Sequence, residues 1–117
     1  MILAAVDDLL FSSKIRSVAK PLGVEVVFAR TPEAIAAEAR ARTPALVIFD
    51  FDAGRIRPLE ALAALKQDPE TAGVRVVGFV SHVRADTISA ARAAGADEVM
   101  ARSAFVSVLP DLVSGAR

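Results

Sequence analysis

Short apolar runs alternate with helical periods along this chain. The runs Ile2 to Val6, Val24 to Phe28, Ala45 to Phe49, Val74 to Val80 and Glu98 to Met100 predict five strands. The third and fourth are almost continuously apolar. Strands without polar alternation are covered on both faces, as in parallel sheets. Between the runs, Phe11, Ile15, Val18 and Leu22 fall on one face of a helix, which Pro21 and Gly23 end. Thr31, Pro32 and Glu33 read as an N-cap, a first-turn proline and an acid matched to the helix dipole. Leu59, Leu62 and Leu65 stripe a third helix that stops at Asp68-Pro69. Ile88, Ala91 and Ala94 mark a fourth, closed by Gly95. Phe105, Leu109 and Leu112 mark a fifth, whose start Pro110 is expected to delay or kink.

The order is β-α five times over, which implies the α/β class with a parallel sheet between two helical layers. Right-handed crossovers leave few topologies, and the flavodoxin-like (βα)5 three-layer sandwich with strand order 2-1-3-4-5 is the expected one. No linker, repeat or low-complexity stretch interrupts the pattern, so residues 1–117 are read as a single domain.

Composition narrows the chemistry. At 54% hydrophobic, the chain can build a core without metal or disulfide support. The absence of cysteine removes disulfides, thiolate zinc sites and thiol nucleophiles, and fits a reducing compartment. A net charge of zero offers no general basic field for nucleic acid. The opening apolar run meets Asp7 and Asp8 too soon for a signal peptide, and no run approaches the roughly 20 residues of a membrane span. The expectation is a cytoplasmic protein with no direct nucleic-acid or membrane partner.

In an open parallel sheet, sites form beyond the carboxyl ends of the strands, where strand order reverses. Strand one there carries Asp7 and Asp8, strand three Asp50 and Asp52, strand four Ser81 and His82, and strand five Arg102 and Ser103. Packed carboxylates repel one another, and a hard cation such as Mg²⁺ removes that repulsion through oxygen ligands. A carboxylate can attack a phosphoryl group, whose oxygens then need a metal, a hydroxyl and a fixed cation. Each part has a candidate on this edge.

These residues resemble the receiver domain of bacterial response regulators. Val6-Asp7-Asp8 is similar to the acidic pair after strand one, and Leu46 to Asp50 to the strand ending in the phosphorylated aspartate. Phe79-Val80-Ser81 matches the strand ending in Thr or Ser, and Gly95-Ala96-Asp97-Glu98 the turn before strand five. Lys66-Gln67-Asp68-Pro69 is also typical. The resemblance covers the whole chain. It implies that Asp50 accepts the phosphoryl group, that Asp7, Asp8 and Asp50 hold Mg²⁺ with the backbone carbonyl of Asp52, and that Ser81 bonds a phosphoryl oxygen. It also implies a histidine kinase or phosphotransfer protein as donor, a downstream protein as target, and no enzymatic turnover.

Five positions depart from the family pattern. Its strand-five lysine falls on Arg102, which keeps the charge with a different donor geometry. The following cis-proline is replaced by Ser103, where a cis bond costs about 2.5–4 kcal/mol, so a trans bond and a re-routed loop are expected. The switch aromatic falls on Val99. The segment Ala53-Gly54-Arg55-Ile56-Arg57-Pro58 replaces Met-Pro-x-Met-Asp-Gly and brings two arginines near the acids. His82 stands where the family has a small residue, and could shield or pair with Asp50.

Three functions follow. The first is a phosphorelay receiver working through Asp50 and Mg²⁺. The second is a pseudo-receiver that binds a protein constitutively, with Arg102, Arg55 or Arg57 neutralising the acids. The third rests on Asp50-Phe51-Asp52, which looks like the Asp-x-Asp strand of haloacid-dehalogenase-type phosphatases. There the motif lies on the first strand and is followed by Gly-Thr, unlike the Ala53-Gly54 found here. No DNA-binding or cyclase pattern accompanies the domain, so signalling would proceed by docking. Apolar positions on the last helix suit either a monomer or a homodimer.

Overall fold

The computed structural model describes residues 1–81 and 84–117. The expectations attached to His82 therefore lie outside the described residues. Five strands form: β1 (Ile2–Ala5), β2 (Val26–Phe28), β3 (Leu46–Asp50), β4 (Arg75–Val80) and β5 (Glu98–Ala101). All pair in parallel, in the order β2-β1-β3-β4-β5. The helices are α1 (Leu9–Ala19), α2 (Pro32–Arg42), α3 (Pro58–Gln67), α4 (Ala85–Ala93) and α5 (Arg102–Ser114).

Alternating strand side chains divide the core in two. Ile2, Ala4, Ile48, Val77 and Phe79 pack with Phe11 and Ile15 of α1 and Phe105 and Leu109 of α5. Leu3, Ala5, Val47, Phe49, Val76, Val80 and Val99 pack on the opposite face with residues of α2, α3 and α4. The apolar runs of β3 and β4 are covered on both sides, as their lack of alternation predicts.

Local signals account for the starts of α1 and α2. The Asp8 carboxylate accepts from the backbone N–H groups of Leu10 and Phe11 and caps α1. The Thr31 hydroxyl accepts from Ala34 N–H and caps α2, with Pro32 in its first turn.

Three expectations fail for identifiable reasons. The face of α1 does not reach Leu22. A 3-10 turn (Lys20–Leu22) containing Pro21 follows Ala19, and its tighter winding leaves Leu22 47% exposed. Leu59 lies in the first turn of α3 and is half-exposed, so Ala61, Leu62 and Leu65 carry the buried stripe. Pro110 does not delay α5, which begins at Arg102 and runs through it. The proline sits on the solvent face, where water can satisfy the carbonyl its missing N–H would have met.

Candidate functional site: an acidic rim tied by arginines

The loops after β1, β3 and β4 and the start of α5 meet at the carboxyl edge of the sheet. Asp50 is the last residue of β3 and its residue surface is 6% exposed. One carboxylate oxygen, Oδ1, accepts from the backbone N–H of Asp52 at 3.0 Å. Burial raises its pKa, opposed by that hydrogen bond and by the positive charge of Arg102; the negative charges of Asp52 and Asp8 raise it further. Asp8 and Asp52 thus share the electrostatic neighbourhood of Asp50.

Each of the other acids is already engaged by the chain. The two amides that cap α1 occupy Oδ1 of Asp8, and Arg102 Nη2 donates to Oδ2 at 3.0 Å. The amide of Phe11 and then the Arg102 hydrogen bond hold the Asp8 carboxyl below its usual range. Asp7 points elsewhere, with Oδ1 3.7 Å from Arg30 Nε and Oδ2 3.9 Å from Arg55 Nε. Asp52 accepts from the backbone N–H of Ser81 through Oδ2, and its Oδ1 lies 3.8 Å from Arg84 Nη2. Its own carbonyl accepts from Gly54 N–H in the turn that follows. Ser81 offers the rim its amide, and the residue is exposed.

Arg102 is the most closely built of the cations. Its guanidinium carbon lies 4.3 Å from the centre of the Phe11 ring and 5.6 Å from that of Phe79. Those rings are 4.6 Å apart, and Phe79 packs 4.8 Å from Phe105. The rings supply cation–π attraction and a low-dielectric floor. Because α5 starts at Arg102 directly after β5, no re-routed loop forms, and no cis peptide bond occurs among the described residues.

Two arginines that sequence reasoning passed over belong to the rim, and one that it included does not. Arg30 and Arg84 reach Asp7 and Asp52. Their signal was position, since each follows a strand at the same edge of the sheet. Arg57 turns to Glu33 and Glu60 at 3.6 and 3.3 Å.

A divalent cation does not suit the donors as they stand. Among the described residues, no three acidic or histidine side chains gather closely enough to hold a metal ion. Asp7 and Asp8, expected to share Mg²⁺, instead pair with different cations.

The missing strand-five aromatic has a counterpart on the opposite face. Val99 is buried and pairs in register with Gly78. The Phe51 ring lies over that glycine, and a Cβ there would fall 2.0 Å from its Cε2 atom. Phe51 also stacks on Phe49, with ring centres 5.5 Å apart. A ring supplied from just after Asp50 thus fills space beside Val99.

Several solved structures that superpose on this chain are response regulators. One from Hahella chejuensis superposes with a TM-score of 0.84 at 18% identity, covering 97% of this chain and 91% of that one. The phosphorylated cyanobacterial phytochrome response regulator RcpA gives 0.79 at 23% identity, covering 98% and 89%. The manganese-bound form of the response regulator Rcp1 gives 0.73 at 22%, covering 97% and 88%. The fold is that of the receiver domain. No protein-family model matches the sequence, and no curated protein matches it. Among the described residues, no helix of this receiver fold is long and apolar enough to cross a membrane.

Proposed function

We propose that this chain is a receiver-type signalling module of the cytoplasm that docks on a protein partner without being phosphorylated and without catalytic turnover. The observation that carries this reading is the enclosure of Asp50. Its residue surface is 6% exposed, and burial disfavours its charged form. A carboxylate must be ionised and reachable to attack phosphorus, and both conditions are weakened here. The architecture of a receiver is nevertheless kept, and with it helix faces on which a partner can dock.

A second reading is a phosphorelay receiver, with Asp50 accepting a phosphoryl group from a histidine kinase or phosphotransfer protein and a downstream target recognising the product. The place of Asp50 at the end of β3, within the field of Arg102, favours it, as does the place of Ser81 directly after β4. So do the phosphorylated and manganese-bound structures of similar fold. It requires Asp7 and Asp8 to turn from their arginine partners before Mg²⁺ could be held.

The two readings separate on incubation with Mg²⁺ and a small acyl-phosphate donor, followed by intact-mass measurement. The docking module shows no gain of a phosphoryl mass. An alkali-labile gain that disappears in Asp50→Asn establishes the phosphorelay reading instead. Repeated release of inorganic phosphate would point to a phosphatase.

A further inference from the structure

We infer that Arg102 is a resident counter-ion that makes the acidic rim independent of divalent metal. The inference deepens the docking reading above by assigning what holds its rim together. Four carboxylates (Asp7, Asp8, Asp50, Asp52) lie among four guanidinium groups (Arg30, Arg55, Arg84, Arg102), and the charges of these eight groups cancel when all are ionised. A metal would add charge to a balanced site and would first have to remove a cation from its acid.

The four cations are not equivalent. Arg30, Arg55 and Arg84 sit 3.7 to 3.9 Å from their acids, with side chains 41%, 84% and 62% exposed. Pairs of that kind are screened by water and contribute little. Arg102 is fixed from several sides. It donates to Asp8 at 3.0 Å, stacks on Phe11, and approaches Phe79. Its buried Nε–H finds no hydrogen-bond partner among the described residues. It is also the first residue of α5, where the helix dipole disfavours a positive charge. A cation held against its helix dipole, with a donor unsatisfied, must be held by the acids and rings before it.

The geometry also explains the choice of side chain. A guanidinium is planar, stacks on an aromatic face, and directs an N–H sideways to a carboxylate at the same time. Asp8 is committed by two backbone amides as the cap of α1, so it cannot swing to a metal without loosening that helix.

The test compares the full chain with Arg102→Lys and Arg102→Gln. Amide NMR spectra are recorded with Mn²⁺, whose paramagnetism broadens nearby signals, and Tm is measured with Mg²⁺ against a chelator. The wild-type protein shows no selective broadening at Asp8, Asp50 or Asp52 and no Tm shift with Mg²⁺. Arg102→Lys keeps the charge but loses the planar fork that stacks on Phe11 while reaching Asp8, so it broadens at Asp8 and Asp50 and gains Tm with Mg²⁺, by less than Arg102→Gln. Arg102→Gln leaves net negative charge on the rim, broadens selectively at Asp8 and Asp50, and gains several degrees of Tm with Mg²⁺. Selective broadening in the wild-type protein overturns the inference. So does a glutamine or lysine variant that stays folded, by its amide spectrum, yet remains silent. This outcome is separate from that of the acyl-phosphate experiment. An adduct formed without metal would sink the docking reading and leave the role of Arg102 standing.

Discussion

The two faces of the sheet meet the rim by different physics. On the α1/α5 face, the rings of Phe11, Phe79 and Phe105 end under the guanidinium of Arg102, which pairs with Asp8. On the α2/α3/α4 face, the ring of Phe51 lies on Gly78, one residue beyond Asp50. The first link is electrostatic, so charge, pH and salt should move it. The second is steric, so side-chain volume should move it and charge should not. Asp50 directly precedes Phe51 in the chain, and its carboxylate feels the charge of Arg102.

The steric side can be broken hardest. Gly78→Ala places a methyl group into the buried Phe51 ring and should destabilise the protein by about 3 kcal/mol. At this chain length that lowers Tm by roughly 10 °C, which calorimetry resolves. Adding Phe51→Leu should make the double variant less destabilised than the sum of the singles. Strict additivity would show that the two residues are not joined by fit.

Asp8→Ala attacks the electrostatic side. It removes a helix cap and the partner of Arg102 together, and should cost about 2 kcal/mol in denaturant unfolding. The pH dependence has a definite sign. Asp8 has a depressed pKa in the folded state, so its contribution is full above the unfolded value of 3.8 and is lost as pH falls through the lower folded value. The stability of the wild-type protein should therefore drop more steeply in acid than that of Asp8→Ala.

Asp50→Asn should act in the opposite direction. The folded protein raises the pKa of Asp50, so it binds that proton more tightly than the unfolded chain does. Stability is then lost as pH rises from the unfolded value of 3.8 through the raised one. Asparagine removes the charge and keeps an oxygen for the Asp52 amide. A Tm a few degrees above wild type at neutral pH, converging in acid, is the expected result. A variant less stable than wild type at neutral pH would contradict the burial argument.

The smallest effect is expected from Arg84→Ala. Its pair with Asp52 is 3.8 Å long and exposed on the arginine side, so the change in stability should stay within about 0.5 kcal/mol. A larger loss would mean that the rim is one coupled network rather than one strong pair and three weak ones.

Much of this protein was legible in the chain itself. Apolar runs without alternation, in β3 and β4, specify strands buried on both faces, because period and polarity are local properties. Alternation with helical periods then leaves few parallel topologies, and the observed strand order is the expected one. Strand ends follow from the same pattern, so the positions of Asp50 and Arg102 at the carboxyl edge were fixed before any contact was known. Caps such as Asp8 and Thr31 were readable because their bonds span only a few residues.

What tertiary structure decided was partnership. Arg30 and Arg84 gave no local sign of their acids, Arg57 turned away from the rim, and Asp7 turned from its neighbour Asp8. A long charged side chain reaches acids far from it in sequence, and which one it meets depends on where the loops come together. The same holds for Phe51, whose ring required a glycine 27 positions later. Sequence placed the charges on one edge; only packing determined which cation each acid met, because electrostatic and steric fit act through space while propensity acts along the chain.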